Sequence, residues 1–170
     1  MTQHHDWRIE LIEAHSALFQ PPDGHPEQAS GYPWCEQGWQ DLLERMCQRI
    51  EAALRPGEQV HFSQVKEKFG GLRAYWRGDV SFETSDQINE AIGLAQARAA
   101  CTCEECGAAG ELHNHTGRYQ TLCEAHAKGG KIPARPGLEN VHTVRVPSPG
   151  GFRIAQRRYD RDADRFIEED

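Results

Sequence analysis

Residues 101–126 read CTCEECGAAGELHNHTGRYQTLCEAH and hold four of the six cysteines and three of the nine histidines of this 170-residue chain. Cys103 and Cys106 are separated by two residues, and after a further sixteen residues Cys123 and His126 repeat that spacing. Four such soft or borderline ligands suit tetrahedral zinc. The spacing therefore predicts a structural Zn²⁺ ion held by these four side chains, with no coordination position left for water or substrate. The alternative is that they are unligated buried thiols and a surface histidine.

The residues around the two pairs predict how they are held. Gly107, directly after the first pair, allows the positive φ angle that a metal-binding knuckle needs. The second pair lies where a hairpin strand runs into a helix, whose N-terminus favours the thiolate form of Cys123. Knuckle, hairpin and helix together predict a treble-clef-like unit. Three nearby side chains compete for a place as ligand: Cys101, His113 and His115.

The string His113-Asn114-His115 also raises the alternative of an HNH-like metal-dependent nuclease. That fold requires a further metal-binding histidine on the helix after the hairpin. The predicted closing helix offers only His126, which the zinc site already uses. The nuclease is therefore the weakest of the alternatives.

Composition places limits on the function. Hydrophobic residues make up 38% of the chain, the mean hydropathy is -0.75, and no apolar run is long enough to span a membrane. We expect a cytoplasmic protein without a membrane partner, whose cysteines are reduced. The formal net charge of -7 argues against general affinity for nucleic acid and favours a protein partner.

Helical patterns occur at three places before the zinc stretch. Residues 6–19 give a short helix, residues 39–54 carry an apolar stripe that includes Cys47, and residues 86–100 follow a cap at Thr84 or Ser85. Between the first two helices, residues 20–38 read as a loop in which Tyr32 and Trp34 anchor against the core. Cys35 and Cys47 are expected to be buried free thiols.

Residues 60–76 give the strongest hairpin signal, with strands on either side of a two-residue Gly70-Gly71 loop. In that register Phe69 lies opposite Leu72, and a β-bulge near Ser63-Gln64 is needed to keep the apolar residues in phase. Glu67 then falls on the apolar face. The opposite face of the hairpin comprises Lys66, Lys68, Arg73 and Tyr75, with Lys68 opposite Arg73. This face is a candidate surface for an anionic partner. The simpler interpretation is that it is only a solvated face.

After the zinc stretch the chain becomes more polar. Residues 128–137 read as a linker, residues 141–146 as a short strand and residues 147–151 as a turn. The last fourteen residues are densely charged, but Tyr159, Ala163, Phe166 and Ile167 share one face of a helix. A terminal charged helix or a frayed tail is expected.

Four segments together resemble a family of small zinc-containing proteins encoded by bacteriophages and prophages. The four segments are Gly38-Trp39-x2-Leu42-Leu43, Val65–Arg73 with Tyr75, Cys103-x2-Cys106-Gly107 and Thr121-Leu122-Cys123-x2-His126. The resemblance covers residues 30–128. Its most specific part is the VKEKFGGLR string of Val65–Arg73. It implies a phage-linked zinc domain and brings no established activity.

These observations predict an α+β protein in which helices pack on a β-hairpin beside a treble-clef-like zinc unit. Residues 1–30 form an N-terminal helix and loop, residues 31–128 the core domain with its zinc unit at 101–128, and residues 129–170 a linker, short strands and a charged helix. The predicted function is noncatalytic: a phage-encoded zinc-binding protein that binds and modulates a host macromolecule, with a host protein, such as a defence-system component, as the expected partner. A nucleic-acid-binding zinc module is the alternative.

Overall fold

The computed structural model describes residues 6–168 and shows a mixed α+β fold. Residues 1–5 and 169–170, which belong to the two predicted terminal segments, lie outside the described residues. The described part contains four α-helices: Trp7–Ala14 (α1), Ser16–Phe19 (α2), Gln40–Ala53 (α3) and Phe82–Ala99 (α4).

Nine strands in the described residues form three small sheets. The first sheet has the order β1-β2-β3, with Pro33–Trp34 (β1), Gln59–Lys68 (β2) and Gly71–Asp79 (β3). The second has the order β5-β4-β6, with Glu111–His115 (β4), Arg118–Leu122 (β5) and Gly130–Lys131 (β6). The third has the order β7-β8-β9, with Val141–Ser148 (β7), Gly151–Asp160 (β8) and Arg165–Ile167 (β9).

The N-terminal helical prediction is confirmed, with a break at His15. The Asp6 carboxylate caps α1 by accepting a hydrogen bond from the Arg8 N–H at 3.0 Å. His15 separates α1 from α2 and is buried, and its two ring nitrogens contact the carboxylates of Glu51 at 2.5 Å and Glu44 at 2.8 Å, both on α3. These contacts tie the N-terminal helices to the central helix.

The main core lies between the helices and one face of the first sheet. The predicted stripe of α3 is confirmed, because Leu42, Leu43, Met46, Cys47 and Ile50 are all buried. The stripe of α4 packs beside it against Val65 and Leu72 of the sheet. Burial of these side chains is the main source of stability for this half of the molecule.

Helix α4 begins earlier than predicted. The helix begins at Phe82, four residues before the predicted start, because Ser81 is the N-cap and its side chain accepts a hydrogen bond from the Thr84 N–H at 3.2 Å. The Glu58 carboxylate supports the same turn, accepting from the Ser81 N–H at 2.8 Å and the Thr84 hydroxyl at 2.7 Å. A carboxylate from a distant loop therefore helps to fix the start of this helix.

The predicted hairpin is present, but its loop lies one residue earlier than expected. Lys68 pairs with Gly71, so Phe69 and Gly70 form the two-residue loop, with φ angles of 54° and 79°. Two positive φ angles are the mark of the primed turns that hairpins favour. The predicted bulge is confirmed between Phe62 and Gln64.

This register corrects two expectations about the hairpin. Phe69 is in the turn and 67% exposed, instead of lying on the apolar face. Arg73 lies opposite Lys66 and not opposite Lys68. The two faces of the sheet otherwise have the predicted composition, since Val65, Leu72 and Ala74 are buried while Lys68 and Tyr75 are exposed.

Trp34 was expected to anchor against the core, and this prediction is wrong. β1 pairs with β2 in parallel, with Pro33 beside Val65 and Trp34 beside Lys66. Because successive side chains on a strand point to opposite faces, buried Pro33 forces Trp34 outward, where it is 68% exposed. Tyr32 packs partly buried against the core, as predicted.

The predicted C-terminal charged helix is also wrong, because the segment forms strands β8 and β9. Tyr159 and Phe166 lie opposite each other in neighbouring strands, and both are buried against α4 beside Val144. The Asp164 carboxylate accepts hydrogen bonds from the Tyr159 hydroxyl and from two arginines of α3, Arg45 and Arg49. The third sheet is therefore fixed to the helical layer by a second core and by ion pairs between the buried Asp164 carboxylate and two partly exposed arginines.

Candidate metal centre

The first cysteine pair lies in a tight knuckle between α4 and β4. The Cys103 N–H donates to the Ala108 carbonyl at 2.7 Å, and the Gly107 N–H donates back to the Cys103 carbonyl at 2.9 Å. Gly107 has a φ angle of 83°, as its place after Cys106 predicted. These bonds close the loop and turn both thiols toward the same point.

The second pair follows the hairpin formed by β4 and β5. Leu122 ends β5, and a three-residue 3₁₀ helix, Glu124–His126, comes directly after Cys123. The α-helix expected at this position is not formed, since the chain continues into the short strand β6. The treble-clef prediction is therefore not confirmed, although its knuckle and its hairpin are present.

The four predicted ligands come together in space. The three Sγ atoms of Cys103, Cys106 and Cys123 and a ring nitrogen of His126 lie within 4.8 Å of one another. Neighbouring edges measure 3.7 Å between Cys106 Sγ and Cys123 Sγ, 3.7 Å between Cys103 Sγ and His126 Nδ1, and 3.3 Å between Cys123 Sγ and His126 Nδ1.

These edges fit a tetrahedral site. Metal–sulfur bonds of about 2.3 Å and metal–nitrogen bonds of about 2.0–2.1 Å give tetrahedral edges of about 3.8 Å between sulfurs and about 3.5 Å between sulfur and nitrogen. All six cysteines are free thiols, so no disulfide competes for these sulfurs. The cluster is compatible with a metal site whose donors are three thiolates and one imidazole.

The protein surroundings shift the pKa values of Cys123 and Cys106 in opposite directions. Burial raises the pKa of Cys123, but hydrogen bonds from the His126 and Ala125 N–H groups and from the neighbouring thiols lower that pKa below its ordinary value. At Cys106 the Ala108 N–H lowers the pKa, yet desolvation and hydrogen bonds to the other thiols raise it overall. A divalent cation favours the thiolate form of every sulfur it binds.

The Glu105 carboxylate lies near the ring nitrogen of His126 that points away from the cluster. His126 directs Nδ1 into the cluster, and its Nε2 lies 4.0 Å from Glu105 Oε2. Glu105 is itself held by Lys128, whose Nζ donates to Oε1 at 3.0 Å. At 4.0 Å the Glu105 carboxylate is an electrostatic neighbour of the ring and not its hydrogen-bond partner, and its negative charge favours a basic imidazole.

The three competing side chains point elsewhere. The Cys101 thiol contacts the carbonyls of Ala97 and Arg98, at 3.6 and 3.4 Å, near the C-terminus of α4. His113 is buried, and its Nδ1 contacts the Glu111 carbonyl at 2.8 Å; His115 is exposed at the end of the hairpin. Within residues 6–168 the clustered donors are the four predicted ligands.

The knuckle rests on the segment before α3. The Gly38 N–H donates to the Glu104 carbonyl at 2.8 Å, and the indole N–H of Trp39 donates to the Thr102 carbonyl at 2.9 Å. A Cβ atom at Gly38 would lie 2.2 Å from the Cys103 carbonyl oxygen. The Gly-Trp pair is thus a docking element for the metal site, a role that its sequence did not reveal.

The turn of the first hairpin supports the same unit from another side. The Thr121 hydroxyl donates to the Gly70 carbonyl at 2.7 Å, and a Cβ atom at Gly70 would lie 2.5 Å from Leu112. The Phe69 ring meets the Tyr119 ring edge to face, with centroids 6.4 Å apart. The Phe-Gly-Gly string therefore joins the first sheet to the metal-binding hairpin.

The predicted partner-binding residues share the outer face of the first sheet. Within residues 6–168 no hydrogen bond or ion pair engages the side chains of Lys66, Lys68 or Tyr75, and the Arg73 guanidinium donates only to the neighbouring Leu72 carbonyl. Exposed Trp34 extends this face, and sequence reasoning missed it because the two-residue strand that carries it gives no alternation signal. We call Trp34, Lys66, Lys68, Arg73 and Tyr75 the basic face.

Comparison of the chain with family models, curated proteins and solved structures gives no match. No helix of residues 6–168 combines the length and the apolar character that crossing a membrane requires.

Proposed function

We propose that this protein is a noncatalytic, phage-encoded binding protein of the host cytoplasm. Its metal ion is structural Zn²⁺, and its basic face docks on an acidic surface of a host protein, such as a component of a defence system. The phage context rests on the resemblance of residues 30–128 to proteins of bacteriophages and prophages.

The choice of zinc is supported by the donor set and its edges. Three cysteines and one histidine at tetrahedral spacing are typical of structural zinc sites, which are closed to water and substrate. The closed set leaves the ion no vacant position for catalysis. The ion joins the knuckle to the hairpin, so that its binding free energy contributes to folding.

The observation that carries the binding proposal is the basic face. Two lysines and one arginine lie on an open sheet face beside Trp34 and Tyr75, which are 68% and 51% exposed. Like charges gathered on one face destabilise the free protein slightly, as the Lys66–Arg73 pair illustrates. An anionic partner relieves that repulsion, and exposed aromatic rings supply the apolar contact that binding hot spots favour.

The overall charge favours a protein as the partner. With a formal net charge of -7, the rest of the chain repels nucleic acid at long range, whereas a protein partner presents a local acidic patch and needs no long-range attraction. Single-stranded nucleic acid is the second candidate. It is favoured by the same exposed rings, because bases stack on aromatic side chains that alternate with cations.

A pull-down from prophage-bearing host lysate distinguishes the two candidates. The zinc-loaded protein serves as bait, with and without nuclease treatment, and Lys68→Glu is compared with Arg153→Glu. The second variant changes the charge equally at an exposed position of β8, which belongs to the third sheet and not to the basic face. We expect a stoichiometric host protein that resists nuclease, is retained by Arg153→Glu and is lost with Lys68→Glu.

The other outcomes each decide the question. Recovery of nucleic acid alone, with affinity that falls steeply as salt is added, replaces the host protein by the second candidate. A host protein that both variants retain equally refutes the role of the basic face.

A further inference from the structure

Two sheets of the molecule end at the same groove. β3 is the terminal strand of the first sheet and β7 the terminal strand of the third, so each has one edge that no strand of residues 6–168 covers. A cavity of about 550 Å³ lies between them, walled by residues 74–76 on one side and 143–145 on the other. We call this cavity the edge groove.

The register of the first hairpin shows which backbone groups of β3 face the groove. Lys68 and Gly71 close a two-residue loop, and such a closing pair exchanges both of its backbone hydrogen bonds. Residues then alternate along β3, so that residues 71, 73 and 75 bond to β2. The N–H and C=O groups of Ala74 and Trp76 therefore point away from β2, and both residues line the edge groove.

The same reasoning applies to β7. Ser148 and Gly151 close the second two-residue loop, so Val146 and Val144 bond to β8. The backbone groups of Thr143 and Arg145 point outward, and both residues line the groove. Pro147, which has no N–H, occupies the next outward position, where a proline costs the ladder no hydrogen bond.

Helix α4 forms the floor between the two edges. The floor residues Ser85, Asn89, Gly93 and Gln96 recur at three- and four-residue intervals and so form one stripe along the helix. They are small or polar, and apolar Ile92 lies beside them; a Cβ atom at Gly93 would make ordinary contact, at 3.7–3.8 Å, with Phe166 and Val144 of the third sheet. The cavity of about 550 Å³ above this floor is the space available to a chain that lies lengthwise between the strands.

We propose that the edge groove binds an extended acidic segment of a partner protein, which adds as a strand to β3, to β7 or to both. Strand addition uses the hydrogen-bonding groups that an edge leaves unpaired, and it gives affinity through the main chain. A strand lies about 4.7–4.9 Å from each neighbour, so one inserted chain pairs with both edges where they stand about 9.4–9.8 Å apart and with a single edge where they stand farther apart.

Charge sets the chemistry of the occupant. Among the described residues that line the groove, Arg145 is the only charged side chain, and it stacks on the exposed Phe152 ring with its guanidinium carbon 4.4 Å from the centroid. Tyr75 stands on the same outer side, next to Arg73 of the basic face. The outward side chains of an inserted strand thus meet cations and an aromatic ring, which favours aspartate or glutamate at alternate positions.

This inference shares Tyr75 and Arg73 with the basic face, and it uses them only for the charge preference of the occupant. Strand addition works through backbone groups of β3 and β7, whereas Lys68→Glu changes a side chain outside the groove lining. Failure of one proposal therefore leaves the other standing, and the two sets of variants separate them.

The test is a selection of phage-displayed random eight-residue peptides on the full-length zinc-loaded protein, followed by binding measurements on the selected peptides. We expect peptides with acidic residues at alternate positions. Thr143→Pro should weaken their binding by about tenfold or more, because it removes one outward N–H and leaves a peptide carbonyl without its donor. Thr143→Ala removes the same side chain but keeps the N–H, so it should weaken these peptides less than Thr143→Pro does.

Two further measurements keep the test decisive where Thr143→Pro disturbs the fold. Arg145→Glu alters an exposed side chain and should weaken acidic peptides by a similar factor. Hydrogen exchange of the wild-type protein should slow at least tenfold at the Ala74 or Thr143 amides when a selected peptide binds, a change that side-chain contacts alone do not produce.

Three results would overturn the proposal: no selected peptide above background, peptides that bind Thr143→Pro and Arg145→Glu as well as the wild type, or unchanged exchange at both strand edges. A wild-type protein that sediments as a dimer while Thr143→Pro sediments as a monomer would also overturn it, in favour of a second copy of this chain in the groove.

Discussion

Replacement of Gly38 by alanine tests how the metal site is held. Gly38 lies directly before Trp39, and a Cβ atom there would stand 2.2 Å from the Cys103 carbonyl oxygen and 2.6 Å from the Glu104 carbonyl. These are backbone atoms of the knuckle and cannot rotate away. The φ angle of Gly38 is not in the left-handed region, so the effect of Gly38→Ala is steric.

The structure gives the magnitude of the effect. Ordinary contact requires about 3.4 Å or more, so the knuckle must move by about 1 Å relative to α3, which is overpacking of the kind that costs about 1–3 kcal/mol. The same movement strains the Gly38 hydrogen bond of 2.8 Å and the Trp39 hydrogen bond of 2.9 Å, each with a net contribution of about 0.5–1.5 kcal/mol. We expect Gly38→Ala to lower the free energy of unfolding by about 2–6 kcal/mol, the upper value applying if both hydrogen bonds are lost.

The matched control is Gly130→Ala in the same unit. No atom lies within 4 Å of a Cβ at Gly130, and its φ angle is also outside the left-handed region. This change should be neutral or slightly stabilising, because alanine has less backbone freedom in the unfolded chain.

The assay is urea unfolding of both variants with bound zinc, together with a competition measurement of zinc affinity. Gly38→Ala should also bind zinc about ten- to a hundredfold more weakly, since a displaced knuckle no longer orients its thiolates. A Gly38→Ala protein whose stability lies within about 0.5 kcal/mol of the control, with unchanged zinc affinity, would refute the docking role of the Gly-Trp pair.

Two further predictions concern the metal ligands and pH. Cys123→Ser should lose the ion and unfold at least the second sheet, whereas Cys101→Ser should keep one zinc per chain. Elemental analysis measures the zinc content and circular dichroism measures the folded structure of each variant. A folded, metal-free Cys123→Ser protein would contradict the structural role of the ion. Burial lowers the pKa of His15, but hydrogen bonds and charges from two glutamates of α3 raise it above 6.5 overall. The contact therefore stabilises the fold fully below pH 6.5 and less as the pH rises through the folded-state pKa. The wild type should lose stability over that interval relative to His15→Gln, and parallel stability curves for the two proteins would exclude the effect.

The clustering of the four candidate metal ligands could be predicted from sequence because the information that brings each pair together is local. Two residues between the members of each pair, and a glycine after the first, are properties of short loops that hold without the rest of the fold. The apolar stripe of α3 is equally local, since five buried residues recur at helical spacing. The hairpin of β2 and β3 was predicted with its bulge, but its loop was displaced by one residue because both Phe69-Gly70 and Gly70-Gly71 offer a turn.

The sequence by itself determined the four residues that cluster at the candidate metal site, the two long helices, the existence of the hairpin and the acidic character of the chain. Tertiary structure alone decided the C-terminal strands, since Tyr159 and Phe166 fit one face of a helix as well as they fit adjacent strands, and packing against α4 selects the strands. It also turned Trp34 outward and brought the unpaired edges of β3 and β7 to one groove. Spacing along the chain encodes contacts within one loop, helix or hairpin, whereas a surface or groove depends on how distant elements pack together.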